Sequence, residues 1–129
     1  MLNDLKKYRM IYLATPYTKH KDGREYAFLW AAGLLATLST YKLNVYCPIA
    51  HWHTATVLDP LNRLRHLTPD EWFEKNLPMM ELCDCMLFPL NENIEFSEGV
   101  RREREYFESL DRPIIEFDPV RDRVEAAFA

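Results

Sequence analysis

Glycine is scarce, with three residues in a chain of 129. That is too few for a Walker phosphate loop or a Gly-x-Gly-x-x-Gly dinucleotide turn, so any bound phosphate must be held by other means. Cysteine is as sparse: Cys47, Cys83 and Cys85 are an odd number and build no disulfide framework. No signal-peptide pattern opens the chain, and a reducing cytoplasm is the expected location. Long apolar runs are missing too. No stretch approaches the ~20 charge-free residues of a membrane helix, so no membrane partner is expected. Basic excess is also absent, with 16 Lys and Arg against 20 Asp and Glu and a net charge of -4. Phosphate backbones demand a basic face, which argues against nucleic acid as a partner.

What is present is an ordinary globular composition, 48% hydrophobic and 28% charged. A chain of this length makes one domain, residues 1–129, able to remove roughly two-thirds of its unfolded surface from water. Residues 9–14 are a short apolar run stopped at Thr15-Pro16-Tyr17-Thr18, a buried strand followed by a loop. Residues 23–40 are helical and apolar on nearly every side, so that helix needs two partners. The sheet is one and a second subunit the other, through surface drawn from Phe28, Trp30, Leu34 and Leu38. A homodimer or higher homo-oligomer is therefore expected.

Residues 44–47 read as a strand ended by Pro48, and residues 48–68 as a long, polar, irregular loop with at most a turn of helix near 55–58. Thr68-Pro69-Asp70-Glu71 opens a helix that Pro78 should kink or end early. Residues 84–89 and 112–117 are further strands, and the tail from Pro119 forms a short amphipathic helix. Strands alternating with helices predict an α/β fold, a four- to five-stranded parallel sheet covered on both faces. Ligands bind such sheets at the carboxyl ends of the strands, where Thr15–Thr18, Pro48–His53 and Asn91–Ser97 would gather.

Between the last two strands, Phe96, Val100, Phe107 and Leu110 trace one helical face. The gap in that stripe is filled by Glu103, while Arg101, Arg102 and Arg104 read as a solvated face. A carboxylate on a buried face costs several kcal/mol unless something pairs with it. Ser97 is a good N-cap, and Gly99 leaves room one turn before Glu103. This describes either a pocket with a carboxylate in it or a Glu that pairs with an Arg at the edge of the stripe. Tyr17 is in reach after the first strand. Asn76 shares a stripe with Trp72, Met79 and Cys83, as a pocket amide or a hydrogen-bonded core one. His51-Trp52-His53 lacks the further ligands of a zinc site and is better read as pocket wall. Cys83 and Cys85 place both sulfurs on one side of an extended segment, as structural thiols.

Ile11-Tyr12-Leu13-Ala14-Thr15-Pro16-Tyr17, Arg24, Pro48-Ile49-Ala50-His51-x-His53, Cys83-Asp84 and Ser97-x-Gly99-Val100-x-x-Glu103 occur in that order. This arrangement, from about residue 9 to Pro119, resembles the nucleoside 2-deoxyribosyltransferase-like superfamily, which includes nucleoside 5'-monophosphate N-glycosidases. It looks closest to a small phage and bacterial branch. The resemblance implies a flavodoxin-like three-layer sandwich and cleavage or transfer of the N-glycosidic bond of a (deoxy)nucleoside or its 5'-monophosphate. Glu103 would attack the anomeric carbon and Tyr17 would orient it. Ser97 with Gly99 and Val100 would hold the 5' end of the sugar, and Arg24 would add positive charge. Thr15, His51, His53 and Asn76 would complete the substrate site, with no metal and no organic cofactor. Relatives carry an Asp where this chain has Asn76. An amide reads a base edge with an adjacent donor and acceptor, as in adenine and cytosine, but donates no catalytic proton. The alternative is a nucleotide-binding sensor of the same fold.

Overall fold

The computed structural model describes residues 2–16, 23–90 and 98–119. Strands β1 (Ile11–Leu13), β2 (Val45–Tyr46), β3 (Cys85–Pro89) and β4 (Ile114–Phe117) form an all-parallel sheet in the order β2-β1-β3-β4. Ile11 pairs with both Val45 and Cys85, and Tyr12 with both Tyr46 and Met86, so β1 is held from each side. The central strands are fully buried, as a parallel sheet covered on both faces requires, while the edge strands are partly open. Each strand is shorter than the apolar run that announces it.

Alternation along the strands divides the interior in two. Ile11, Leu13, Cys85 and Leu87 face one way, onto Trp30, Ala31, Leu34 and Leu38 of α1 (Arg24–Thr40). Tyr12, Ala14, Met86 and Phe88 face the other way, onto Met80 of α3 (Pro69–Leu82) and Val100 and Phe107 of α4 (Glu98–Ser109). The result is the α/β architecture of a flavodoxin-like three-layer sandwich. Cys83 and Cys85 fall in opposite interiors, correcting the expectation that they share a side. Cys83 caps α3 and is not part of the strand, so the alternation that governs Cys85 does not reach it.

The larger correction is α2 (Pro48–Leu58), a three-turn helix where an irregular loop was expected. Pro48 does not merely stop β2. It occupies the first helical turn, where its fixed φ suits the backbone and its missing N–H is not needed. Ile49 and Ala50 pack into the α1 side of the core. The second partner of α1 is thus α2, within the same chain. Trp30, Leu34 and Leu38 are buried in the protomer, and the large apolar residues left exposed on α1 are Tyr26 and Leu29.

Helix α3 also runs four residues past Pro78. Pro78 is on the exposed face, so the carbonyl of Glu74, deprived of its helical donor, is within reach of water. Its start is as expected, with reciprocal bonds from Glu71 N–H to Thr68 Oγ1 (3.2 Å) and from Thr68 N–H to Glu71 Oε1 (3.0 Å). Its end is closed by Arg112, whose guanidinium donates to the carbonyls of Met80, Glu81 and Cys83 at 2.9–3.0 Å. Leu110, expected on the buried stripe of α4, lies beyond its last turn and is exposed. The expected helix after Pro119 lies outside the described residues. Thr68→Ala removes one half of the reciprocal cap and should cost about 1 kcal/mol in a urea melt, with no change in slope.

Candidate functional site

The chain leaves β1 toward β2 on one side of the sheet and leaves β3 toward β4 on the other. Strand order therefore reverses between β1 and β3, and a crevice opens beyond their carboxyl ends. A cleft of about 430 Å³ lies there, lined by Thr15 just beyond β1, from α2 by Trp52 and His53, from α3 by Asn76, and from α4 by Gly99 and Glu103. Its volume falls in the range of small-molecule sites.

Glu103 reaches the cleft because it interrupts the apolar stripe of α4 between the buried Val100 and Phe107. The Tyr12 hydroxyl donates a short hydrogen bond to Glu103 Oε2. Tyr12 lies on the Glu103 side of the sheet by strand alternation, its ring 5.8 Å from Tyr46 and 5.6 Å from Phe107. Glu103 keeps part of its surface open toward the cleft. Burial among the surrounding protein nonetheless lifts its carboxyl from 4.5 to about 7, and the Tyr12 hydrogen bond offsets part of that rise. The same pairing, added to burial, pushes the Tyr12 phenol well above its ordinary range. Glu103 is therefore poised between its two protonation states near neutral pH.

Asn76 is 8% exposed and is held by its oxygen. Trp52 Nε1 donates to Oδ1 at 3.1 Å and the Tyr46 hydroxyl donates to the same atom at 3.3 Å. Both lone pairs of Oδ1 are then engaged, and only the donor half of the amide remains for a ligand. The mixed donor and acceptor edge expected from the residue type is not what the cleft receives.

Helical geometry separates the two histidines. Residues two apart on a helix point about 200° apart, whereas in an extended segment they share a side. His53 is buried, lines the cleft, bonds to Glu25 Oε2 at 2.8 Å and stacks on Phe28 at 4.4 Å. His51 is exposed, packs against Tyr46 and Trp52, and does not line the cleft. Its expected place in the substrate site is corrected accordingly. Among the described residues no group of three His, Cys, Asp or Glu side chains is arranged to hold a metal ion, and no helix is long and apolar enough to cross a membrane.

Thr15, Arg24, Val100 and Gly99 line the cleft, and a Cβ added at Gly99 would meet open space. Tyr17 and Ser97 lie outside the described residues. Sequence reasoning overlooked Tyr12, the Trp52 and Trp72 wall, and Arg65. It also misread Arg102 as wholly solvated. That side chain lines the cleft, bonds to Asp70 at 2.8 Å and lies 4.7 Å over the Phe73 ring. Tyr12 had a usable signal: it alternates with Ile11 and Leu13, and a buried tyrosine hydroxyl needs a partner.

A family model described as a domain of unknown function (DUF1937) matches residues 9–119, and the chain belongs to that family. No curated protein matches the chain significantly.

Two consequences of the Glu103 environment are measurable. Its folded-state value lies above its ordinary one, so the native state binds the proton more tightly than the unfolded state. This contribution to stability is present in full below about pH 4.5 and is lost as pH rises through about 7. At about 1.4 kcal/mol per unit, the loss is at most about 3 kcal/mol, less for a group partly open to water. Glu103→Gln should flatten that decline in urea melts compared across the interval. Tyr12→Phe removes the hydrogen bond that lowers the carboxyl, and its titration followed by carbon NMR should move further upward.

Proposed function

We propose that the protein cleaves or transfers the N-glycosidic bond of a (deoxy)nucleoside or nucleoside 5'-monophosphate, with Glu103 as nucleophile. The observation that carries this reading is a carboxylate in a cleft at the sheet's carboxyl edge, fixed by a buried tyrosine hydroxyl. A nucleophile of this kind needs an aimed, partly desolvated charge and a dry wall beside it. The motif resemblance that runs from residue 9 to Pro119 supports the same chemistry.

In the first step a Glu103 oxygen bonds to the anomeric carbon as the bond from that carbon to the base nitrogen breaks. The electron pair leaves with the base, which takes a proton from water. In the second step water, or a second base, attacks the anomeric carbon, the ester bond breaks, and the proton lost by the attacking group neutralises the hydroxide left from the first step. Glu103 regains its charge and the sugar keeps its configuration. Tyr12 acts in the position proposed above for Tyr17: its hydroxyl aims one carboxylate oxygen and leaves the other to react. Thr15, Gly99 and Val100 contact the sugar, and Arg24 and Arg65 supply charge for a phosphate. His53 and the Trp52–Trp72 wall, whose rings meet edge to face at 5.8 Å, enclose the base. We assign this activity to the cytoplasm, without a metal or organic cofactor. We also assign it to a homo-oligomer formed through the exposed Tyr26 and Leu29 of α1, which light scattering at micromolar concentration tests: a monomer removes the assignment.

A second reading, a nucleotide-binding sensor, is favoured by one observation. Asn76 stands where an acid would protonate the leaving base, and an amide donates no proton to it. Base release measured by chromatography over a panel of nucleosides and monophosphates separates the two. The enzyme reading expects free base from wild type, with a rate that rises through about pH 7 as Glu103 ionises. It expects none from Glu103→Gln, which keeps the size and cannot form the ester. More than a few per cent of wild-type release from that variant would remove the nucleophile.

A further inference from the structure

The bonding of Asn76 determines more than its position. Trp52 Nε1 is a donor only, so the atom facing it at 3.1 Å has to be the amide oxygen, and the orientation of the amide follows from chemistry. The Tyr46 hydroxyl, at 3.3 Å, takes the second lone pair. The nitrogen, with two hydrogens, has no partner among the described residues, although the side chain is 8% exposed and lines the cleft. Donors left without acceptors in a buried site are costly, and a ligand that supplies acceptors gains the difference.

Resting on the glycosidic reading of the cleft, we infer that Asn76 makes the site selective for bases carrying an oxo group at purine C6 or pyrimidine C4 over bases carrying an amine there. The edge codes of the bases make the choice. Guanine and hypoxanthine present a ring nitrogen and an oxo oxygen side by side, both acceptors, and thymine and uracil present an oxo oxygen. Adenine and cytosine place an amine donor at the corresponding position. A donor-only amide satisfies the first group. Against the second it finds one acceptor, the ring nitrogen, beside an amine donor that its engaged oxygen cannot accept. The selectivity is thus the reverse of that expected from an asparagine with both halves free. Trp52 couples the two parts of the recognition, since the indole that forms part of the aromatic wall also fixes which way the amide faces.

Matched pairs test this with the full chain. Inosine and adenosine 5'-monophosphates differ at the exocyclic group and the ring nitrogen next to it, and so do the uridine and cytidine 5'-monophosphates. Isothermal titration of wild type should show the oxo member of each pair bound about tenfold more tightly or better. Asn76→Asp keeps the shape and replaces the donor with an acceptor, and should abolish or invert the preference. A melting temperature close to wild type shows that the variant is folded; if it is not, the wild-type pairs decide alone. Equal or tighter binding of the amino members by wild type overturns the inference, as does a folded Asn76→Asp that retains the wild-type preference. Base release assayed on the same four nucleotides keeps the two readings apart. Release with no oxo preference removes the inference and leaves the glycosidase, while preference without release does the opposite. Failure to bind any of the four removes both.

Discussion

The hydrogen bond from Tyr12 to Glu103 is the constraint around which this fold is arranged. It joins the central strand to the helix that crosses above it, and it satisfies two polar groups that burial would otherwise penalise. Each partner is held by structure that has nothing to do with the bond. Tyr12 cannot move because β1 is paired on both sides and its ring is flanked by Tyr46 and Phe107. Glu103 cannot withdraw because Val100 and Phe107, on either side of it along α4, are anchored in the same interior. A carboxylate aimed this way needs no rearrangement when a ligand arrives, which is what preorganisation means in physical terms.

The charges on α4 show how different the outer face is. Arg101 pairs with Glu98 and Glu105, and Arg104 with Glu108 and Glu116, all on the exposed side. Pairs of this kind contribute little to stability, because water screens them and long side chains must be ordered to form them. Their effect is to consume the neighbouring cations locally. Glu103, one residue before Arg104, has the uncharged Tyr12 as its hydrogen-bond partner among the described residues. Among the described residues no cation offsets its desolvation, and this is why its carboxyl rises to about 7 when a salt-bridged one would fall.

The parts of the fold legible in the sequence were those governed by one dominant pattern. β1 and β3 are unbroken apolar runs, α3 carries a full capping box, and the single polar interruption in the α4 stripe located Glu103. What was hidden depended on partners far along the chain. Residues 48–58 have no amphipathic period, since α2 buries Pro48 and His53 while Trp52 reaches across to Asn76, so its helix was taken for a loop. Reading that segment as an irregular loop put His51 and His53 together on the pocket wall, and the helix turns them apart. The same error made a second subunit seem the cover for Trp30, Leu34 and Leu38, which are buried within the chain. Pro78 misled for a different reason: a proline breaks a helix when the freed carbonyl is trapped, and here that carbonyl is on the water side. The state of Asn76 was beyond sequence reasoning altogether, because residue type gives an amide's groups and only its neighbours say which remain free.

Taken with the proposed chemistry, Glu103 and Asn76 have opposite and complementary characters. Ionised Glu103 offers only acceptors, and Asn76, its oxygen engaged, offers only donors. Breaking an N-glycosidic bond separates charge in the matching sense: the sugar becomes electron-poor and the departing base electron-rich. A carboxylate beside the first stabilises the developing cation, and N–H groups beside the second stabilise the developing anion, each more strongly in the transition state than in the ground state. An acid at position 76 would reach the same end by giving up a proton. A donor-only amide leaves the proton to water and supplies a fixed dipole in its place. On this argument, Asn76 in place of the acid that the resemblance implies would change how leaving-group charge is met and which bases can leave, with the Glu103 end of the reaction untouched.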